Sequence, residues 1–367
     1  MSPPTSPTVL IVGAGLAGAR AAETLRAEGF DGRVLLVGEE PVAPYERPAL
    51  SKEFLAGTRD EASLLLRRPS FWEEREIELL LGRRVVSADP YRCVARTSRG
   101  DAIPFDRLVV ATGARPRRLP LAAPAGVHEL RTLADARALR GELVPGTSLV
   151  VIGGGFVGAE VASTALGLGL HVTIVEAAPA PVARVLGDEV GLLLAERWRA
   201  QGVDVRLRTG VASIRGDVSG WVDSVVLTDG SELRADTVLV GVGVEPAREL
   251  LPERPATHVH PCGDVVGPGH WTAAALDGVA AARRILGLPL PAPQPHYVWS
   301  DQFGLRLQVV GSPRPDDPFE LDGDGDSFAV RYLDPGGAVH AALLANRPAE
   351  AAELRRRLAE DALALAA

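Results

Sequence analysis

The sequence predicts an α/β chain made of two Rossmann-like dinucleotide-binding domains followed by a smaller C-terminal α+β domain. Three observations carry this. Residues 9–12 (V-L-I-V) run straight into Gly13, Gly15 and Gly18. The same series returns at residues 149–152 with Gly153, Gly155 and Gly158. A proline-rich stretch, residues 289–295, then separates both copies from a tail of short alternating segments ending in a helical one.

In the first copy the uninterrupted apolar run suits a strand buried on both faces of a parallel sheet. Gly13 permits the tight turn, Gly15 lets a diphosphate approach the backbone, and Gly18 lets the next helix pack closely on the strand. That helix starts near residue 16 and presents free N–H groups and its positive dipole end to the diphosphate. A second strand, residues 34–37, leads to Glu39, placed to accept ribose hydroxyls. The proline-punctuated loop of residues 41–52 forbids a regular helix and holds two cations, Arg47 and Lys52, which read either as solvated surface charges or as diphosphate ligands. Helical segments are expected near residues 51–55 and 69–76. Strands are expected over 93–97, 102–105 and 108–111, the last closing on Thr112-Gly113-Ala114. This is the first domain, residues 1–115.

The second copy, residues 116–243, repeats the series. A helix runs through residue 165, a strand spans 172–175, and the acid is Glu176. Residues 225–228 and 232–234 flank Asp229-Gly230, a hairpin signal, and residues 238–240 end on Gly241-Val242-Gly243. Residues 244–290 return to the first domain through Cys262-Gly263-Asp264 and an amphipathic helix from about residue 272 that ends at Gly287 before Pro289. The last domain, 291–367, is expected to carry strands at 306–310, 328–333 and 338–344, a surface loop over 313–326 and a helix over 348–366. Two complete units imply two dinucleotides, and two dinucleotides held face to face imply hydride transfer between them.

At 367 residues and 46% hydrophobic content the chain supports two or three domains with large cores. A net charge of -8 argues against nucleic acid as a partner. Only two cysteines occur, Cys93 and Cys262, which make neither a Cys-x-x-Cys pair nor a zinc set. No segment reads as a membrane span or a signal peptide, so a cytoplasmic setting is expected, as a monomer or homodimer.

Several motifs in this order make the chain resemble the FAD-dependent ferredoxin reductases that serve oxygenases and cytochromes P450. These belong to the glutathione-reductase-like flavoproteins with two dinucleotide-binding domains. The motifs are residues 12–15 (V-G-A-G), 45–52 (Y-E-R-P-A-L-S-K), 111–114 (A-T-G-A), 153–160 (G-G-G-F-V-G-A-E), 262–264 (C-G-D) and 299–302 (W-S-D-Q). The resemblance implies two cofactors, FAD and NAD, with a 2Fe-2S ferredoxin as partner. Gly13, Gly15, Gly18 and Glu39 would hold the FAD adenosine and diphosphate, with Arg47 and Lys52 on the diphosphate and near the flavin. Thr112 and Gly113 would line the FAD, and Asp264 would bind a ribityl hydroxyl. Gly153, Gly155, Gly158 and Glu176 would hold NADH, with Glu160 near the nicotinamide and paired to Lys52. Trp299 would lie by the flavin ring on the way out for electrons.

Hydride transfer from NADH to flavin then needs stacking at contact distance rather than a proton relay. The helix N-terminus at residues 271–273, headed by Trp271, would supply positive potential near flavin N1. Three departures from the family pattern stand out: a shorter stretch between Val244 and Cys262, Gly267-Pro268-Gly269 in place of an Arg and a Glu, and Asp277-Gly278 in place of Gln-Gly. They leave open a flavoenzyme acting directly on a small molecule in a specialised pathway. An NADH redox sensor like apoptosis-inducing factor is the third possibility.

Overall fold

The structure, a computed structural model, describes residues 6–267 and 270–366. The chain divides into two compact units, each built from three stretches. One holds Met1–Glu46, Glu61–Arg115 and Val244–Ala292; the other holds Arg47–Asp60, Pro116–Gly243 and Pro293–Ala367. The segment of residues 47–60 therefore belongs with the second unit, whereas the sequence reading keeps it in the first.

The first unit is organised on a parallel sheet whose strands run in the order Val259–Pro261, Arg107–Val110, Thr8–Val12, Arg33–Val37, Ile77–Leu80. The continuous apolar run of Thr8–Val12 has a direct cause, because successive side chains enter different cores. Val9 and Ile11 pack with the helices Leu16–Ala27 and Trp271–Leu286, while Leu10 and Val12 pack with Val85, Ala95, Ile103 and Phe105 under a three-stranded antiparallel sheet. The two helices approach closely where Gly278 faces Ala17: a Cβ on Gly278 would lie 2.2 Å from the Ala17 carbonyl oxygen. Gly287 caps the second helix with φ of 69°, as a C-terminal glycine should.

The second unit repeats the design. Its parallel sheet runs Asp204–Arg206, His171–Val175, Ser148–Ile152, Thr237–Val240, Val127–His128. Leu149 and Val151 join the large core with the helices, and Val150 and Ile152 face the antiparallel strands Val211–Gly216 and Val222–Leu227. Glu232–Arg234 follows the Asp229-Gly230 turn, where Gly230 has φ of 86°. The C-terminal residues form a five-stranded antiparallel sheet in the order Tyr297–Gln302, Leu305–Gly311, Val339–Ala345, Ser327–Leu333, Phe319–Asp324. One face of it, including Leu307, Val309, Phe328 and Leu343, shares the large core with Leu194 and Trp198; the other is covered through Ala351 and Leu354 by the helix Pro348–Ala366.

Several expectations are corrected. Residues 313–326 are not all loop: Phe319–Asp324 is an edge strand paired with Ser327–Leu333, and its F-E-L-D alternation is stabilised by that pairing despite the surrounding Asp and Gly. Residues 51–55 carry no α-helix; a 3-10 turn, Arg47–Ser51, precedes them. The helix expected over 69–76 is the single turn Phe71–Glu74, stopped before Glu76, whose φ is 53°. Cys93 likewise sits at φ of 53°, outside the strand Val94–Thr97. Within the shortened stretch before Cys262 the structure adds a strand that the sequence reading did not expect, Val259–Pro261, pairing in parallel with Arg107–Val110. Pro268 and Gly269, part of another departure, lie outside the described residues.

The contact at Gly278 is testable. Gly278→Ala is expected to lower unfolding free energy by about 1–3 kcal/mol through overpacking. Gly167→Ala, whose Cβ would meet nothing within 4 Å inside the helix Phe156–Gly167, should be neutral or stabilise by up to about 1 kcal/mol. Thermal unfolding of the two variants measures both.

Candidate functional site

The two glycine-rich turns superpose in their steric logic. A Cβ on Gly13 would lie 2.0 Å from the Ala111 carbonyl oxygen, and one on Gly153 would lie 2.5 Å from that of Gly241. Both glycines have positive φ, 114° and 107°. A Cβ on Gly18 would lie 2.0 Å from the Gly13 carbonyl oxygen, and one on Gly158 would lie 2.3 Å from that of Gly153. The middle glycines behave differently: at Gly15 and Gly155 a Cβ would meet nothing within 4 Å. Each is also the N-cap of its helix, with no side-chain cap bond. Open space beside uncapped first-turn N–H groups is what a diphosphate needs, so the residues present fit a dinucleotide in each unit.

The two acids differ in what holds them. Glu39 follows the strand Arg33–Val37 after Gly38 and is exposed. Glu176, at the end of His171–Val175, is half-buried; its Oε2 accepts from Gly154 N–H at 2.7 Å and its Oε1 from Ala178 N–H at 2.8 Å. The glycine turn and the carboxylate are thus fastened to each other. The neighbouring strand brings two arginines onto the same turn: Glu176 N–H donates to the Arg206 carbonyl and Arg208 N–H to that of Ala178, and both side chains are exposed.

In the first unit Thr112 donates its hydroxyl to the Ala247 carbonyl at 2.7 Å, and Ala247 N–H returns a bond to Gly113, whose φ is 73°. Asp264 lies half-buried in the 3-10 turn Gly263–Val265. Asp277 Oδ2 accepts from Gly263 N–H at 3.2 Å, so this departure from the family's Gln fastens the Gly-Asp turn to the helix Trp271–Leu286. Trp271 opens that helix behind the N-cap His270. Cys262 is 1% exposed, and burial, reinforced by the charge of Asp277, pushes its thiol up to about 12.

The second unit contains a buried polar cluster on the helix Phe156–Gly167. Glu160, 5% exposed, pairs its Oε1 with Lys52 Nζ at 2.9 Å. Ser300 donates to the same oxygen at 2.7 Å and Ser51 donates to Oε2 at 2.5 Å. Lys52 also donates to the Pro48 carbonyl at 3.0 Å, and Thr164 donates to that of Ser51 at 2.8 Å. Arg47 donates to the Arg131 carbonyl. A carboxylate so deeply buried is costly unless its oxygens are hydrogen-bonded, and both oxygens here have donors. Ser51 and Ser300 are the residues that sequence reasoning missed as partners of Glu160. Each lies inside a motif, beside Lys52 and beside Trp299, but only the fold brings them together. Trp299 is half-buried on the edge strand Tyr297–Gln302.

The sequence matches the family described as pyridine nucleotide-disulphide oxidoreductase over residues 7–278 and the one described as reductase C-terminal over residues 297–367. It is 36% identical over 375 residues to the biphenyl dioxygenase system ferredoxin–NAD(+) reductase component of Paraburkholderia xenovorans, covering 94% of this chain and 91% of that protein. A rubredoxin-NAD(+) reductase of Pseudomonas putida is 36% identical over 333 residues, 83% of this chain and 86% of that one. Among solved structures, the covalent putidaredoxin reductase–putidaredoxin complex matches with a TM-score of 0.92 at 33% identity, covering 96% of this chain and 93% of that chain. No helix among the described residues is long and apolar enough to cross a membrane.

The raised Cys262 thiol gives a direct check. At about pH 8 an alkylating reagent should label at most one thiol of the native protein, the half-buried Cys93, and leave Cys262 unlabelled, because only thiolate reacts. A second equivalent should appear on unfolding in denaturant. Rapid native labelling of both would show that the thiol is available for exchange.

Proposed function

Because the chain belongs to the pyridine nucleotide-disulphide oxidoreductase family, we infer that it is an NADH-dependent flavoprotein reductase that passes electrons from NADH through FAD to a 2Fe-2S ferredoxin serving an oxygenase or cytochrome P450. The observation that carries this reading is the repeated turn, with its open middle glycine at both Gly15 and Gly155, which gives one chain two dinucleotide sites. The ferredoxin reductase relatives support the acceptor class. The family's name includes disulfides, but both cysteines lie in the first unit, Cys262 protonated and buried, and neither belongs to the Lys52 loop. A thiol relay therefore has no support here.

Bound FAD would supply the change from two-electron acceptance to one-electron delivery. The chain's own residues supply position and charge. The Gly15 and Gly155 turns bind the two diphosphates through helix N-termini. Glu39 and Glu176 accept ribose hydroxyls, Glu176 being fixed in advance by Gly154 and Ala178. Thr112, Gly113 and Asp264 would line the FAD, and Trp271 heads the helix whose N-terminus would supply positive potential to it. Glu160 fixes the ammonium of Lys52 and would lie on the nicotinamide side. Arg47 and Lys52 balance the phosphates and the developing charge. No group in this set has to move a proton for a hydride to pass, so orientation carries the rate.

NADH is expected over NADPH, because the Glu176 carboxylate repels a 2'-phosphate. Glu176→Gln should raise kcat/KM for NADPH by about tenfold, equivalent to removing roughly 1.4 kcal/mol of repulsion. The backbones of Arg206 and Arg208 are bonded to that turn, although the Arg206 guanidinium is paired with Asp204 at 2.9 Å. Equal use of both nucleotides by the unsubstituted protein would contradict this role for the carboxylate.

For the acceptor, Arg117, Arg118 and Arg314 are the cations assigned to docking; Arg118 also pairs with Glu129 at 3.3 Å. Reduction of a 2Fe-2S ferredoxin, followed through cytochrome c, should slow as salt rises, while hydride transfer from NADH stays nearly constant. Faster reduction of a rubredoxin than of any ferredoxin would change the acceptor. Turnover of a small organic substrate with no protein acceptor would replace the reading by the pathway-flavoenzyme alternative.

A further inference from the structure

The edge strand Tyr297–Gln302 divides its side chains between two environments. Val298, Ser300 and Gln302 point to the core and to Glu160, since Ser300 donates to that carboxylate. By strand alternation Tyr297 and Trp299 occupy the opposite face, where Tyr297 packs against the cluster formed by Val310, Ala342, Leu344, Ala351 and Leu354 under the C-terminal helix. On that face the two rings stack with centroids 6.1 Å apart and planes at 28°. The Arg355 guanidinium lies over the Tyr297 ring at 4.1 Å from its centroid. Arg355 Nε is buried and has no hydrogen-bond partner among the described residues, so the ring face is a principal contact of this cation. Gln308, directly opposite Trp299 in register, donates from Nε2 to the Tyr297 hydroxyl at 2.7 Å.

We propose that Tyr297, held by Arg355 and Gln308, is a positioning residue that fixes the Trp299 indole for outward electron transfer. The inference rests on the reading above, in which Trp299 carries the route to the ferredoxin. One NADH yields one NAD+, one proton and two electrons, which reduce two ferredoxins in turn, and Trp299 ends each transfer unchanged. Its ring serves only as the path, so its orientation sets the rate. Tyr297 constrains one side of the indole, and the offset, near-parallel geometry is one that aromatic pairs favour. Arg355 and Gln308 hold the tyrosine at ring face and hydroxyl, so it is fixed at both. Without the stack the indole would redistribute over the staggered χ1 wells, of which there are three.

The test compares Tyr297→Leu, Tyr297→Phe, Arg355→Gln and Trp299→Phe in the FAD-loaded full chain. Three rates are measured: flavin bleaching by NADH in stopped flow, ferricyanide reduction, and reduction of a 2Fe-2S ferredoxin from a bacterial dioxygenase system. Tyr297→Leu should lower kcat with the ferredoxin by about threefold, the share lost when one χ1 well becomes three, leaving its KM and the other two rates unchanged. Tyr297→Phe, which keeps the stack, should restore most of the loss. Arg355→Gln should move kcat in the same direction and serves if the leucine variant fails to fold. The Trp299 contribution to near-ultraviolet circular dichroism, taken as the difference from Trp299→Phe, should collapse in Tyr297→Leu. If Trp299→Phe slows ferredoxin reduction but Tyr297→Leu and Arg355→Gln do not, the positioning role is overturned and the Trp299 route stands. If Trp299→Phe itself leaves ferredoxin reduction unchanged, the assigned route fails and the inference with it.

Discussion

Backbone crowding at two turns governs this protein. At Gly13 and Gly153 a strand-end carbonyl occupies the place where a side chain would begin, and at Gly18 and Gly158 the turn's own carbonyl does so. Any methyl group at these four positions would push the helix from the strand and move its N-terminus off the line along which it meets a phosphate. The parallel sheets, the helix directions and the two nucleotide sites all follow from that close approach. Only the middle glycine of each turn is left facing open space.

A second dependency is electrostatic. Glu160 is a buried charge, and removing such a group from water is tolerable only with donors in place. Here three donors come from two segments: Ser51 and Lys52 from the loop of residues 41–52, and Ser300 from the edge strand of the C-terminal sheet. Ser163, one turn along the same helix, adds a bond to Phe303 N–H at 2.7 Å. A single helix that begins at Gly155 thereby holds the loop bearing Lys52 and a strand bearing Trp299.

Much of this was legible in the sequence because it repeats or has strong local signals. Two copies of one glycine series, the Asp229-Gly230 hairpin and the Gly287 cap each carry their own local physics, and the helix Pro348–Ala366 begins at the expected residue. What was not legible depends on partners far along the chain. Phe319–Asp324 becomes a strand only because Ser327–Leu333 lies beside it, and its local composition argues for a loop. The helix Asp188–Ala200 and the capped helix Leu133–Glu142 were passed over between stronger landmarks, although Thr132 and Asp135 form a capping box visible at sequence spacing. Ser51 and Ser300 stand at sites whose meaning lies entirely in convergence on Glu160. Asp277 looked like a loss against the family pattern, yet it binds the Gly263 turn that the pattern is meant to hold.

The fifth strand of the first sheet, Val259–Pro261, enters after the whole of the second nucleotide-binding sheet has been threaded. During synthesis on the ribosome the first unit therefore waits, with the Arg107–Val110 edge uncovered, for more than a hundred residues to emerge. The second unit's parallel sheet has all its strands by Val240, but its core is completed only by Leu307, Val309, Phe328 and Leu343 of the C-terminal sheet. Domains generally fold as units. The N-terminal fingerprint is thus translated first yet reaches its full native sheet only at Pro261, and the second fingerprint reaches its full core later still, so neither nucleotide site is expected to be complete until late in synthesis.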